Sequence, residues 1–425
     1  MLEWLIALYL PMTIFVQGLD VGSMVLTAAT VTSVVGCLLI GFKRVREERP
    51  ILSLKLFAQP AALFTLAYFA VGIGSGIFAE DQERYLREIV QRSIIILCPL
   101  YLYVFGPSHP RVLLRALVCY LPVCGVLALA IAGLALRSGM DAPIFLFGMH
   151  KNAGGADCSH LVVISFALLL SKQFPKQRFL IAAVMVLGIL GIVGAQARAA
   201  LIGVIIGSFL MMLANRNKVR HLLVAVVVLV FGLGAMVTTL PKETIDHALS
   251  TEKHSGNAIR QETWALISEK LRNDPLMCVG WGNRVFSYLD VSAPGGFATS
   301  HGIIAPDCAN IFFYDWAQMS VLGVVAQIAM FTSCLVLPFS NARRCLPGSP
   351  LSAINLAALG IMATRVEQAY LDSFWVGRGP TLAMFVAVGM ALFVRLWLNQ
   401  SEEMRERSRL SNENAIESTA RLSAR

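Results

Sequence analysis

The chain has 425 residues, 56% of them hydrophobic and 14% charged, with a mean hydropathy of +0.68 and a formal charge of +9. No soluble domain hides that much apolar surface, so the composition excludes a soluble globular protein and points to a polytopic membrane protein. The positive charge fits basic cytoplasmic loops, and no aromatic-interleaved basic patch supports nucleic-acid binding.

Met1–Tyr9 lacks the basic stretch of a cleavable signal and runs on into apolar sequence, so it reads as the first span. A span needs about 20 mostly apolar residues. Such runs fall at 2–17, 21–42, 57–79, 93–106, 112–136, 157–171, 179–195, 198–214 and 222–240. The charged segment 80–92 reads as a loop. With the N-terminus inside, the inside loops carry about twice as many Lys and Arg as the short outside loops, which places both termini in the cytoplasm.

The segment 241–308 is then a large outside loop, periplasmic in a Gram-negative source. Asn257 can cap a helix over 258–273, in which Ile259, Trp264, Ile267 and Leu271 share a face and which Asp274-Pro275 ends. Glycine-rich turns follow. Three more spans follow at 309–339, 351–371 and 380–398, and the polar tail, 399–425, reads as frayed or disordered. The expected fold is an all-α polytopic membrane protein. It has nine transmembrane helices in 1–240, a periplasmic loop domain with short helices in 241–308, and three helices in 309–398. No repeat and no pair of similar halves is visible.

The nine cysteines contain no C-x-x-C, which argues against a disulfide framework or zinc site. Cys278 and Cys308 share the large loop, where an oxidising compartment would leave pairing open. His160 reads as a satisfied helix histidine, and Arg365 and Glu367 as groups that line an inner cavity or pair with each other. There is no metalloprotease motif, P-loop or nucleophile elbow, and no carboxylate cluster with metal-ligand spacing.

Polar groups gather on the outer face. Arg198 lies in "GAQARAALIG" between two apolar runs, Arg260 on the first turn of the loop helix, and Lys151 and Asn152 in "FGMHKNAGGADCSH". Each has a plainer reading, as a snorkelling or solvated surface group. Together, two arginines and a lysine suit a diphosphate, because guanidinium forks onto phosphate oxygens and does not titrate away. In a lipid-rimmed cavity the natural ligand is a lipid-linked diphosphate. Arginines that neutralise its leaving charge would make a metal dispensable.

The pieces "GMHKNAGGAD", "QARAALIG", "NAIRQETWALISEKLRNDPLMCVGWGNRVF" and "ANIFFYDWAQMSVLG" stand in the order found in the O-antigen ligase family, which the chain resembles over most of 145–325. The resemblance implies an inverting, metal-independent glycosyltransferase with no cofactor, in the bacterial inner membrane with a periplasmic site. Its donor would be an undecaprenyl-diphosphate-linked glycan and its acceptor lipid A–core. Arg198 and Arg260 would hold the diphosphate, and Lys151, Asn152, Asn310 and Arg378 would contact substrate.

Two positions depart from the family pattern. Ser320 stands for a glycine, and Ala309 for the histidine expected as general base, a role imidazole fills because it titrates near working pH. The intact frame reads as a histidine-to-alanine substitution that leaves the chain inactive as written. His301 is the alternative base, with Asp307 and Asp315 also near in sequence. An O-antigen polymerase or a protein O-oligosaccharyltransferase differs chiefly in acceptor. A membrane transporter is the rival from another class, and should show repeated halves and broken helices.

Overall fold

The computed structural model describes residues 2–15, 18–21, 24–48, 50, 54–79, 81–138, 151–215, 264–265, 268–269, 271–282, 310–371 and 378–423. In chain order these form α1 (Leu2–Met12), the antiparallel pair β1 (Gly18–Val21) and β2 (Met24–Thr27), α2 (Ala28–Arg46), α3 (Leu54–Phe57), α4 (Pro60–Gly74), α5 (Gln82–Arg92), α6 (Cys98–Phe105) and α7 (Pro110–Arg137). Then come α8 (Lys151–Leu170), α9 (Arg178–Gly194), α10 (Arg198–Ala214), α11 (Ile311–Ala342), α12 (Pro350–Leu371) and α13 (Arg378–Ser423). Among the described residues, eight helical stretches are long and apolar enough to cross a membrane, and α1 and α10 are shorter apolar helices. This is a multi-pass membrane protein. The span expected at 222–240 lies outside the described residues.

Several expected boundaries move. The run 21–42 starts as a hairpin. Thr27 accepts the Thr30 N–H at 3.1 Å and so caps α2 at Ala28. The segment 80–92 is not a loop. Asp81 accepts the Arg84 N–H at 2.9 Å and starts α5, which continues into α6 through a π turn at Ser93–Leu97. Pro99 has no N–H to return to the preceding turn, which displaces the ladder there. The tail is not frayed either, since α13 runs 46 residues to Ser423. Its Glu, Arg and Ala residues are good helix formers despite their polarity. Arg344 holds the helix at Glu402 and Asn399, at 2.6 and 2.8 Å.

The bundle is organised around α8, α12 and α13, which are buried on nearly every side. Outer helices turn large apolar side chains outward, such as Leu38 and Phe42 of α2 and Phe179 of α9. Small residues let backbones approach: a Cβ on Gly191 of α9 would lie 2.7 Å from Cys158 Sγ and 3.0 Å from the Ala128 Cβ.

One helix is broken. Ser320 in α11 has φ 64° and ψ −176°. Across it, Gln327 donates to Asp315 at 2.7 Å, and Phe312 meets Phe331 at 6.2 Å between ring centroids. Twelve residues of straight helix span about 18 Å, so α11 doubles back. Ile311–Met319 is a half-helix lying against the rest. The 22 residues after the break, about 33 Å of helix, suffice to cross the membrane alone.

Candidate functional site

Helix registers define one end of the bundle. Gln368 of α12 donates to Ser159 of α8 at 3.2 Å, and a Cβ on Gly360 would lie 2.8 Å from Val163 Cβ, so α8 and α12 run antiparallel. A Cβ on Gly203 of α10 would meet Glu367 Oε2 at 3.1 Å, and one on Gly207 the Gly360 carbonyl at 3.1 Å, so α10 also opposes α12. Arg365 donates to Thr381 of α13 at 3.0 Å. The starts of α8, α10 and α13 therefore lie at the end of the bundle where α12 finishes. Lys151, Arg198 and Arg378 are the first residues of those three helices. Three helix N-termini carry partial positive charge, and opening on one end they favour an anion there.

Over the same end sits part of the loop helix. Trp264 faces Phe313 of the half-helix at 6.2 Å and Tyr370 of α12 at 5.7 Å. Leu271 packs on Ala317 with Phe313 and Trp316 around it. Trp264 and Leu271 belong to the expected apolar face, and the helix ends at a turn closed by the Met277 N–H on the Asp274 carbonyl at 3.2 Å. The other two members of that face, Ile259 and Ile267, lie outside the described residues.

After this turn, residues 275–282 form a strap that enters the bundle and repairs the broken helix. The Val279 and Gly280 N–H groups donate to the carbonyls of Ala317 and Gln318, each at 3.1 Å, and Val321 N–H donates to the Pro275 carbonyl at 3.2 Å. Irregular backbone at membrane depth survives only where protein satisfies it, and here the strap does so. Trp281 is the wedge. It is fully buried, edge-on to Tyr68 and Phe69, with the Arg92 guanidinium 4.4 Å from its ring centre.

Arg92 anchors a buried network. Its Nε donates to Glu88 at 2.5 Å, Nη1 to the Tyr68 hydroxyl at 3.2 Å and Nη2 to Gln318 at 3.3 Å, and Asp315 lies 3.6 Å away. Tyr68 and Gln327 donate to Asp315 at 2.6 and 2.7 Å.

No protein-family model matches the chain, and no curated protein matches it.

The candidate residues fare differently. Arg198 is exposed at the start of α10, and Asn152 is half-buried on the first turn of α8. The described part of Lys151 and Arg378 is the backbone that opens α8 and α13. Arg260, His301, Asp307 and Ala309 lie outside the described residues. Asn310 is buried, and its side-chain oxygen accepts the N–H groups of Phe312 and Phe313 at 2.9 and 3.3 Å, so it caps the half-helix. Asp315 is enclosed by Tyr68, Gln327 and Arg92, which removes it as an accessible base.

Gly155 of "GMHKNAGGAD" admits a helix: a Cβ there would overlap that of Ala197, the neighbour of Arg198. The contact holds the starts of α8 and α10 together. Arg365 and Glu367 do not pair. Two residues apart, they face different sides of α12, Arg365 towards Gln368 and Thr381, Glu367 towards Gly203. His160 is not a satisfied helix histidine, because neither ring nitrogen has a hydrogen-bond partner among the described residues. Cys278 is a free thiol that donates to the Gln318 carbonyl at 3.1 Å, and burial pushes it up; Cys308 lies outside the described residues. Among the described residues no group of three or more His, Cys, Asp or Glu gathers to hold a metal ion.

Sequence reading missed Arg92 as a buried anchor. Its signal was the run 93–106, too short at about 14 residues for a span, which required a helix beginning earlier and carrying Arg92 inward.

Proposed function

We propose that the chain is a membrane glycosyltransferase of the O-antigen ligase kind. It would move a glycan from undecaprenyl diphosphate to lipid A–core at the periplasmic face of a bacterial inner membrane, with both termini cytoplasmic. One observation carries this reading: the described parts of four motif segments, spread along the chain, come together at one end of the bundle. Lys151 and Asn152 open α8, Arg198 opens α10, Trp264 follows position 260 by four residues in sequence, and Asn310 caps the half-helix.

In the proposed reaction an acceptor hydroxyl oxygen attacks the anomeric carbon while the bond to the diphosphate breaks. Arg198 and Arg260 neutralise the departing diphosphate. The hydroxyl proton passes to a base at position 309, which alanine cannot supply. An O-antigen polymerase or a protein O-oligosaccharyltransferase would use the same end of the bundle with another acceptor.

The break at Ser320 favours a second reading, a transporter, since broken helices near mid-membrane are common there. Against it, two carbonyls released at this break are taken by the strap rather than offered to a solute.

Transfer from purified lipid-linked donor to acceptor in detergent separates the two, because a transporter has no sides to move between in micelles. Ala309→His should raise turnover about 10²–10⁴-fold over the chain as written with little change in donor affinity. No transfer by either form would remove the transferase reading. Full activity in the chain as written, lost in His301→Ala and not improved by Ala309→His, would assign the base to His301.

A further inference from the structure

Between α8, α12 and α13 lies a second polar cluster that the proposed transfer does not use. Asp157 and His160 are both fully buried, and among the described residues neither the two Asp157 carboxyl oxygens nor the two His160 ring nitrogens have a hydrogen-bond partner. Three residues apart, they are neighbours on one face of α8. Six residues of helix, about 9 Å, separate Asp157 from Lys151 at the end of the bundle described above.

The surroundings are polar on one side. Arg365 donates to Gln368 at 3.3 Å and to Thr381 at 3.0 Å, and Gln368 donates to Ser159 at 3.2 Å. From α7, the Tyr120 hydroxyl and Cys124 thiol donate to the Asp157 backbone carbonyl at 3.1 and 3.2 Å, not to its carboxyl. Cys158 is the neighbouring titratable group on α8 itself. From α10 the charged group is Arg198 at its start, and from α12 Glu367 stands with Arg365. From α9, glycines face α8.

A buried carboxylate lacking any hydrogen bond is among the most unfavourable arrangements a bundle can hold. It needs an occupant. The unpartnered atoms are shut off from solvent. A proton needs no volume of its own. We propose that Asp157 and His160 form an intramembrane proton-binding site, in which Asp157 holds one proton and His160, one turn along the same face of α8, relays it in exchange with solvent. The proton comes from bulk solvent at the end where α8 begins and returns there, so charge balances without another reactant. The site does not depend on the chain being a transferase.

Infrared spectroscopy of the whole protein in lipid nanodiscs at neutral pH tests this. A carboxylic-acid carbonyl band should appear, move to lower frequency with 13C-labelled aspartate, and disappear in Asp157→Asn. If that variant does not fold, Asp157→Glu should displace the band instead. In D2O the band should shift as the proton exchanges, several-fold more slowly in His160→Gln. An aspartate that shows only carboxylate bands, or an acid band that Asp157→Asn leaves in place, overturns the site. A band that never shifts in D2O overturns the exchange.

Discussion

At Ser320 the backbone occupies a region that only glycine enters without strain, of the order of 1–3 kcal/mol for other residues. The position is where the resembling family carries glycine, and the dihedral angle supplies a reason. Ser320 has one compensation, since its hydroxyl accepts the Leu322 N–H at 3.3 Å. Ser320→Gly should therefore raise stability by about 1 kcal/mol, and Ser320→Val should lower it by more, measured as the thermal midpoint in detergent. A midpoint lowered by glycine would mean that the hydroxyl contact outweighs the strain.

Arg92 gives the opposite case, a charge whose surroundings are complete. Removing it by Arg92→Leu strands Asp315 and should cost about 3–5 kcal/mol. Adding Asp315→Asn should recover part of that loss, because the two share one network. A double-variant loss equal to the sum of the two single losses would argue against a direct coupling.

At the scale of elements, the half-helix and the strap stabilise each other. The break exposes carbonyls, the strap supplies N–H groups, and Trp281 fixes the strap through Tyr68, Phe69 and Arg92. Gly72 makes room for the indole, since a Cβ there would lie 2.5 Å from its ring. Trp281→Ala should cost about 3–5 kcal/mol and expose 275–282 to added protease. Gly72→Val should expose the same segment without touching the strap itself. Resistance to proteolysis in both variants would show that the ring is not what holds it.

Part of this level was legible: among the described residues of 258–273, Trp264 and Leu271 lie where the apolar face requires, and the turn at Asp274-Pro275 follows from turn chemistry. The doubling back of α11 was not legible. An apolar run of 31 residues reads as one long span, and a serine at the turn conceals the glycine signal. The tail misled for another reason: polar composition excludes a core but does not exclude a helix.

Over the whole molecule, the candidate site is a meeting of helix ends, and what brings them together is packing of small residues remote from any ligand. Gly155 and Ala197 set the spacing between α8, which starts with Lys151, and α10, which starts with Arg198. No single-sequence pattern separates a glycine that admits a ligand from one that admits a neighbouring helix. Gly154 and Gly155 of the motif differ testably. A Cβ on Gly155 overlaps Ala197, whereas one on Gly154 meets only the flexible end of Ile131 at 3.3 Å. Gly155→Ala should cost about 1–3 kcal/mol and, with histidine at 309, lower transfer by displacing Arg198, while Gly154→Ala should change both little. Arg198→Ala in that background should lose about 10²–10³-fold in rate with the thermal midpoint nearly unchanged, as expected of an exposed charge that acts on the departing diphosphate. If Gly155→Ala leaves rate and midpoint unaltered, the two helix starts are not held by this contact. If Arg198→Ala leaves the rate unaltered, the arginine is a surface group and the diphosphate is held elsewhere.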